Sequence, residues 1–193
     1  MSDPDTADTE LMARFARGDA AAFEALYRRH ELKIFRYLLR HVRDHAVAND
    51  LMQEVWFAVA RGAARYQPSA RFTTWLYTLA HNRMVDALRA RREHLSLEGS
   101  GEEEDDPTRL VERIADAASA EPQAVVENRE VGERLLAAVE ALPLGQREAF
   151  VLQAEGDLSV EEIARVTGTN FETAKSRLRY ARTKLRQLLQ EYA

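Results

Sequence analysis

Apolar residues recur along this chain at spacings of three and four, and the period-two runs of Val, Ile and Thr that mark strands are missing. Leu11, Met12 and Phe15 share one side of a first helix that starts after Asp8 or Thr9 and stops at Gly18. Asp19 can cap a longer second helix carrying Phe23, Leu26, Tyr27, Ile34 and Leu38 at helical spacing. A third helix is predicted over about 44–64, with Val47, Leu51, Val55 and Val59 at strict i+4 steps. The stretch from Tyr66 to Arg71 reads as a loop, because Pro68 disfavours helix in the residue before it. A fourth helix is predicted over about 73–92, and the four can pack as one helical domain spanning 9–95.

The pattern then breaks. Residues 96–122 contain Gly99-Ser100-Gly101, the run Glu102 to Asp106 and Pro107, too polar and too densely charged to bury a core. They read as a flexible acidic linker, with a short helical piece around Leu110 to Ile114. Pro122 can open a helix at its first position. Residues 123–193 then form a second domain of about four helices, broken at Pro143, Gly156 and Gly168. The expected fold class is all-α, with two compact helical domains joined by that linker.

Within the second domain the densest local signal lies between Ser159 and Leu189. Ser159-Val160-Glu161-Glu162 is a capping box opening a short helix with Ile163, Ala164 and Val166. Gly168 in Thr167-Gly168-Thr169-Asn170 is free to take positive φ, and Asn170 is a good N-cap for the next helix. Ala174, Leu178, Ala181, Leu185 and Leu188 form the inward stripe of that helix. Its other faces carry Lys175, Ser176, Arg177, Arg179, Tyr180, Arg182 and Arg186. A short helix, a glycine turn and a longer basic helix fit the helix-turn-helix, whose second helix enters the major groove. Thr173, Lys175 and Ser176 would then face base edges, and Arg179 and Arg182 would hold bases or phosphates. A solvated basic face on an ordinary bundle helix has the same pattern.

Charge sharpens this picture. The net charge of −5 is unfavourable for a nucleic-acid binder. Residues 96–130, however, hold eleven acidic against three basic side chains, a local −8, so the remainder carries +3. The chain contains no cysteine, which excludes disulfides, thiolate metal sites and a cysteine nucleophile. The polar, acidic first ten residues and the absence of a long apolar run lead to the expectation of a cytoplasmic protein with no signal peptide.

Four stretches together resemble the extracytoplasmic-function (ECF) sigma factors, small subunits related to the bacterial housekeeping sigma factor. They are Gly18 to Tyr27; Asn49-Asp50-Leu51-Met52-Gln53-Glu54-Val55-Trp56; Arg71-Phe72-Thr73-Thr74-Trp75-Leu76-Tyr77-Thr78-Leu79-Ala80-His81-Asn82 with Asp86 and Arg89; and Leu158 to Arg182. The resemblance runs from about Leu11 to Leu189 and leaves out little but the linker. It implies that Asp50, Gln53 and Glu54 dock on the clamp helices of RNA polymerase. It also implies that the loop from Tyr66 to Arg71 and the helix after it open the −10 promoter element. Asn82 matches a family position at the pocket for an unstacked base, which must offset a few kcal/mol of extrusion cost. Phe72 and Trp75 could stack on bases, although core packing is the plainer role for Trp75. Arg83, Arg89, Arg91 and Arg92 would track the backbone, and Arg71 counts with Phe72, Asn82, Arg83 and Arg89 among the residues that bind the −10 DNA. The second domain would read the −35 element through Thr173, Lys175, Ser176, Arg179, Tyr180 and Arg182.

The resemblance further implies core RNA polymerase and promoter DNA as partners, commonly with an anti-sigma factor, and no small-molecule substrate or membrane insertion. It implies no cofactor and no chemistry of the factor's own. In relatives the segment between the domains threads the polymerase cleft, where the acidic run 102–106 could imitate the charge of RNA. Glu172 stands where many relatives have a small residue, and Tyr180 where they have Arg, so the −35 sequence read here would differ. Two readings from other classes compete. His30-Glu31 begins like a zinc-protease motif, but Ile34 occupies the second His position; His41 and His45, four apart, lack a third ligand and read as a solvated pair. A self-sufficient helix-turn-helix regulator, whose N-terminal domain senses a ligand or dimerises, is opposed by the matches in residues 49–89 and by the absence of a clear dimerisation heptad.

Overall fold

The computed structural model describes residues 7–67, 71–98 and 132–190. Among these the chain is helical apart from short turns, with no strand. The elements are α1 (Asp8–Ala16), α2 (Ala20–Val42), α3 (His45–Gly62), a one-turn 3-10 helix (Ala63–Arg65) and α4 (Phe72–Glu98). After the undescribed stretch come a helix over 132–140, here α5, then α6 (Leu144–Gly156), α7 (Val160–Val166) and α8 (Phe171–Gln190). The expected pieces around Leu110 to Ile114 and at Pro122, with nearly all of the linker, lie outside the described residues.

Local chemistry fixes the helix boundaries. Gly18 turns the chain at φ +95°, and Asp19 caps α2 by accepting from the N–H groups of Ala21 and Ala22. The other oxygen of Asp19 meets the Arg14 guanidinium at 2.7 Å, tying the end of α1 to the start of α2. Asp44 repeats the device for α3, accepting from Ala46 at 2.8 Å and Val47 at 3.0 Å. These side chains satisfy backbone donors that a helix start leaves without partners. Asp8 anchors α1 from its first turn, accepting from Arg29 and from His30 Nε2 of α2.

α1 to α4 enclose a core of Leu11, Met12, Leu26, Ile34, Leu38, Val55, Val59 and Leu76. α5 to α8 continue the same apolar cluster with Val139, Leu142, Leu152, Ile163, Leu178, Ala181 and Leu185. Three expectations are corrected. Val47 is 39% exposed rather than inward, because steps of four overshoot the 3.6-residue turn and walk the stripe off the core. α4 starts at Phe72 and runs on to Glu98, past the expected end, through Arg91 to Glu98, where good helix formers dominate. His41 is buried rather than solvated, its Nδ1–H donating to the Tyr37 carbonyl at 2.6 Å.

The two helical units lie against each other. α2 and α4 of the first pack on α6 and α7 of the second, with Tyr37 and Tyr77 at the seam. Gly156 makes the close approach: a Cβ there would sit 2.8 Å from the Tyr77 ring.

Candidate nucleic-acid and protein interface

Because Leu51, Val55 and Val59 turn the inner side of α3 to the core, Asp50, Gln53 and Glu54 emerge together on its outer side, all exposed. Phe57 continues that face and is 64% exposed, a large apolar side chain standing in water. Across from it, α4 contributes Arg83, whose guanidinium lies 3.4 Å from the Glu54 carboxylate. Glu54, Phe57, Arg61 and Arg83 line a shallow, open hollow of about 240 Å³. The structure thus joins a residue assigned from sequence to polymerase docking with one assigned to DNA. Phe57 and Arg61 were missed. Phe57 was detectable, because it falls out of register with the apolar stripe of its own helix.

The remaining residues expected at a −10 site are dispersed. Asn82 and Arg89 are exposed on α4. Arg71 is exposed but engaged, donating to the Asp157 carbonyl at 3.1 Å and lying 3.5 Å from the Glu162 carboxylate. Phe72 requires a correction as a DNA-stacking residue. It is 2% exposed, enclosed by His30, Tyr66 and Trp75, so its ring serves the core. Trp75, half-buried against Tyr66 and close to Gly62, takes the packing role.

In the second unit the helix-turn-helix forms as its sequence dictates. Ser159 Oγ accepts from the Glu162 N–H while the Glu162 carboxylate accepts from the Ser159 N–H, a complete capping box. Gly168 takes φ +62° in the turn. Asn170 Oδ1 accepts from the Thr173 N–H at 2.7 Å at the start of α8. Ala174, Leu178, Ala181 and Leu185 are buried, while Lys175, Arg179, Tyr180 and Arg182 are exposed. Thr173 and Ser176 are half-buried, and the Ser176 hydroxyl donates to the Thr173 carbonyl. Arg179 stacks over the Tyr180 ring with its guanidinium carbon 4.9 Å from the centroid. Arg182 reaches back to Gln153 at 2.6 Å. Lys175 lies 3.8 Å from Glu172 at the helix N-terminus, an exposed pair worth little to stability.

A family profile described as Sigma-70 region 2 matches residues 26–94, and one described as Sigma-70, region 4, matches residues 132–185. The chain is 37% identical over 180 residues to the RNA polymerase sigma factor CarQ of Myxococcus xanthus, covering 93% of this chain and 96% of that one. It belongs to the ECF class of RNA polymerase sigma factors. The ECF sigma factor SigM of Mycobacterium tuberculosis is 30% identical, over 94% of this chain and 84% of that protein. Among solved structures, CnrH in complex with the cytosolic domain of CnrY shares the fold at a TM-score of 0.67 and 23% identity, over 97% and 100% of the two chains.

As a sigma factor the protein is a transcription initiation factor. The region 2 match takes in the outer face of α3 and most of α4, and the region 4 match takes in most of α8. The histidines that suggested a metalloenzyme have other occupations. His30 bonds to Asp8, and His41 bonds to the backbone. Among the described residues no helix is long and apolar enough to cross a membrane.

Proposed function

We propose that this sigma factor docks on core RNA polymerase through the outer face of α3 and reads a two-part promoter with its two helical units. Asp50, Gln53 and Glu54 present adjacent polar groups to a basic partner helix, where charge-assisted hydrogen bonds are strongest. Phe57 beside them supplies the apolar anchor that such an interface needs at its centre. This exposed acidic-apolar patch, on a helix whose inner side is fully committed to the core, is the observation that carries the reading. Residues 9–95 form the docking and −10 domain, 96–122 the linker and 123–193 the −35 domain. Asn82 contributes to capture of a −10 base, with Arg71, Arg83 and Arg89 on the strand backbone. Lys175, Arg179, Tyr180 and Arg182 of α8 meet the −35 major groove beside Thr173 and Ser176. The factor works in the cytoplasm, binds no cofactor and leaves all catalysis to polymerase.

The structure of CnrH is of a complex with the cytosolic domain of CnrY. By analogy we assign this chain a protein inhibitor of the anti-sigma kind. Transcription from a promoter library with purified core polymerase tests the reading. A product that requires this protein and selects one consistent pair of promoter elements supports it. Tight operator binding by the protein alone, with no polymerase dependence, would replace it with a self-sufficient regulator.

A further inference from the structure

The first turn of α8 carries three exposed side chains that hold one another. Lys175 Nζ lies 3.8 Å from Glu172 Oε1 and 5.7 Å from the centroid of the Phe171 ring, so its ammonium is placed from two sides. The backbone beneath is fixed, because Asn170 Oδ1 accepts from the Thr173 N–H at 2.7 Å. The side chain of Glu172 is 78% exposed, and Phe171 is a large ring left standing in water while Ala174 and Leu178 are buried. Neither feature serves the fold: an exposed ion pair adds little stability, and an exposed ring forgoes the gain of burial. Other groups nearby are already engaged. The Ser176 hydroxyl donates to the Thr173 carbonyl, Arg177 lies against Gly145 of α6, and Arg182 bonds to Gln153. Glu172 and Lys175 are the charged groups that this turn presents outward.

We propose that Glu172 and Lys175 together read one C·G base pair of the −35 element, with Phe171 as the positioning residue for Lys175. The carboxylate accepts from the cytosine amino group and the ammonium donates to guanine. The inference rests on the reading of α8 as the −35 helix.

Phosphate repels a carboxylate, so Glu172 in a major groove is satisfied only by a donor on a base edge. Cytosine N4 and adenine N6 are the donors there. In a C·G pair, cytosine N4 and guanine O6 are the two ends of one hydrogen bond, about 2.9 Å apart. An acceptor and a donor set 3.8 Å apart match that spacing, each reaching its own partner from the same side. Guanine places N7 beside O6, which gives the ammonium a second acceptor. An A·T pair in the same orientation puts the thymine O4 and its methyl group at that place, so C·G is favoured. Lysine is costly to order on binding, and the ring and carboxylate order it before DNA arrives.

The test is transcription by the full chain with core polymerase from a library randomised across the −35 element, read by sequencing. The wild type is expected to favour C·G at one position by about tenfold. Glu172→Ala should lose that preference there and keep the rest of the element. Glu172→Gln, whose amide pairs bidentately with adenine N6 and N7, should move the preference from cytosine to adenine, which loss of a merely structural contact would not do. Phe171→Leu should weaken the C·G preference about two- to fivefold, and Phe171→Tyr should retain it. A −35 element selected identically by the wild type and Glu172→Ala, or a Glu172-dependent position that is not C·G, would overturn the inference and leave α8 as the reader. A library in which the wild type selects no −35 element would instead remove the reading of α8, and this inference with it.

Discussion

His41 sits within the first unit, near the seam, with its Nδ1–H committed to the Tyr37 carbonyl and its Nε2 facing no partner. Burial therefore holds its pKa down to about 4, because a second N–H would be stranded without an acceptor. The unfolded chain takes up this proton near pH 6.5 and the native protein does not, so stability falls as pH drops from about 6.5 towards 4. Between pH 7 and 5 this histidine contributes a loss of about 2 kcal/mol. In urea melts at the two values, His41→Asn is expected to lose that part of the slope; an unchanged slope would show that His41 is not its source. Gly156 is limited by space instead. Gly156→Ala would push a methyl group against the Tyr77 ring and Leu158, which overpacking studies place at about 1–3 kcal/mol. A lower thermal midpoint is expected, and an unaltered one would mean the seam yields there at no cost.

At the scale of the element, the caps set the boundaries. Asp44 and Ser159 each satisfy backbone donors at a helix start, and Asp44→Ala or Ser159→Ala should each lower stability by about 1 kcal/mol in equilibrium unfolding. Such elements were legible in the sequence because their causes are local. Asp19, Ser159 with Glu162, Gly168 and Asn170 announce a start or a turn within three or four residues of where it occurs. The errors came where a longer count mattered. Val47 drifted off the stripe over three steps of four residues, and Phe72 looked like a surface aromatic because the rings that enclose it come from His30, Tyr66 and Trp75, two of them outside its own helix. On α3, the faces could be sorted from sequence alone: Leu51, Val55 and Val59 go inward, so Asp50, Gln53 and Glu54 must go out. The same sorting places Phe57 outward, out of register with the apolar stripe, where it is 64% exposed.

For the whole molecule, sequence spacing was silent. Glu148 meets partners 111 and 67 residues away, and neither Tyr37 nor His81 differs in type or spacing from an ordinary helical residue. No periodicity encodes such a pair, since its geometry depends on how the two helical units pack. What the residues did encode was a family with two parts in order, and the matches to regions 2 and 4 keep that order. The proposed docking then rests on one face. A direct measurement is the affinity of the full chain for core RNA polymerase, wild type against Asp50→Ala with Gln53→Ala and Glu54→Ala. These side chains are exposed, so the fold and its thermal midpoint should be retained. Truncating three polar contacts at an interface centre predicts about a hundredfold weaker binding, about 2.7 kcal/mol. Wild-type affinity in a folded triple variant would contradict the claim that α3 is the face that docks.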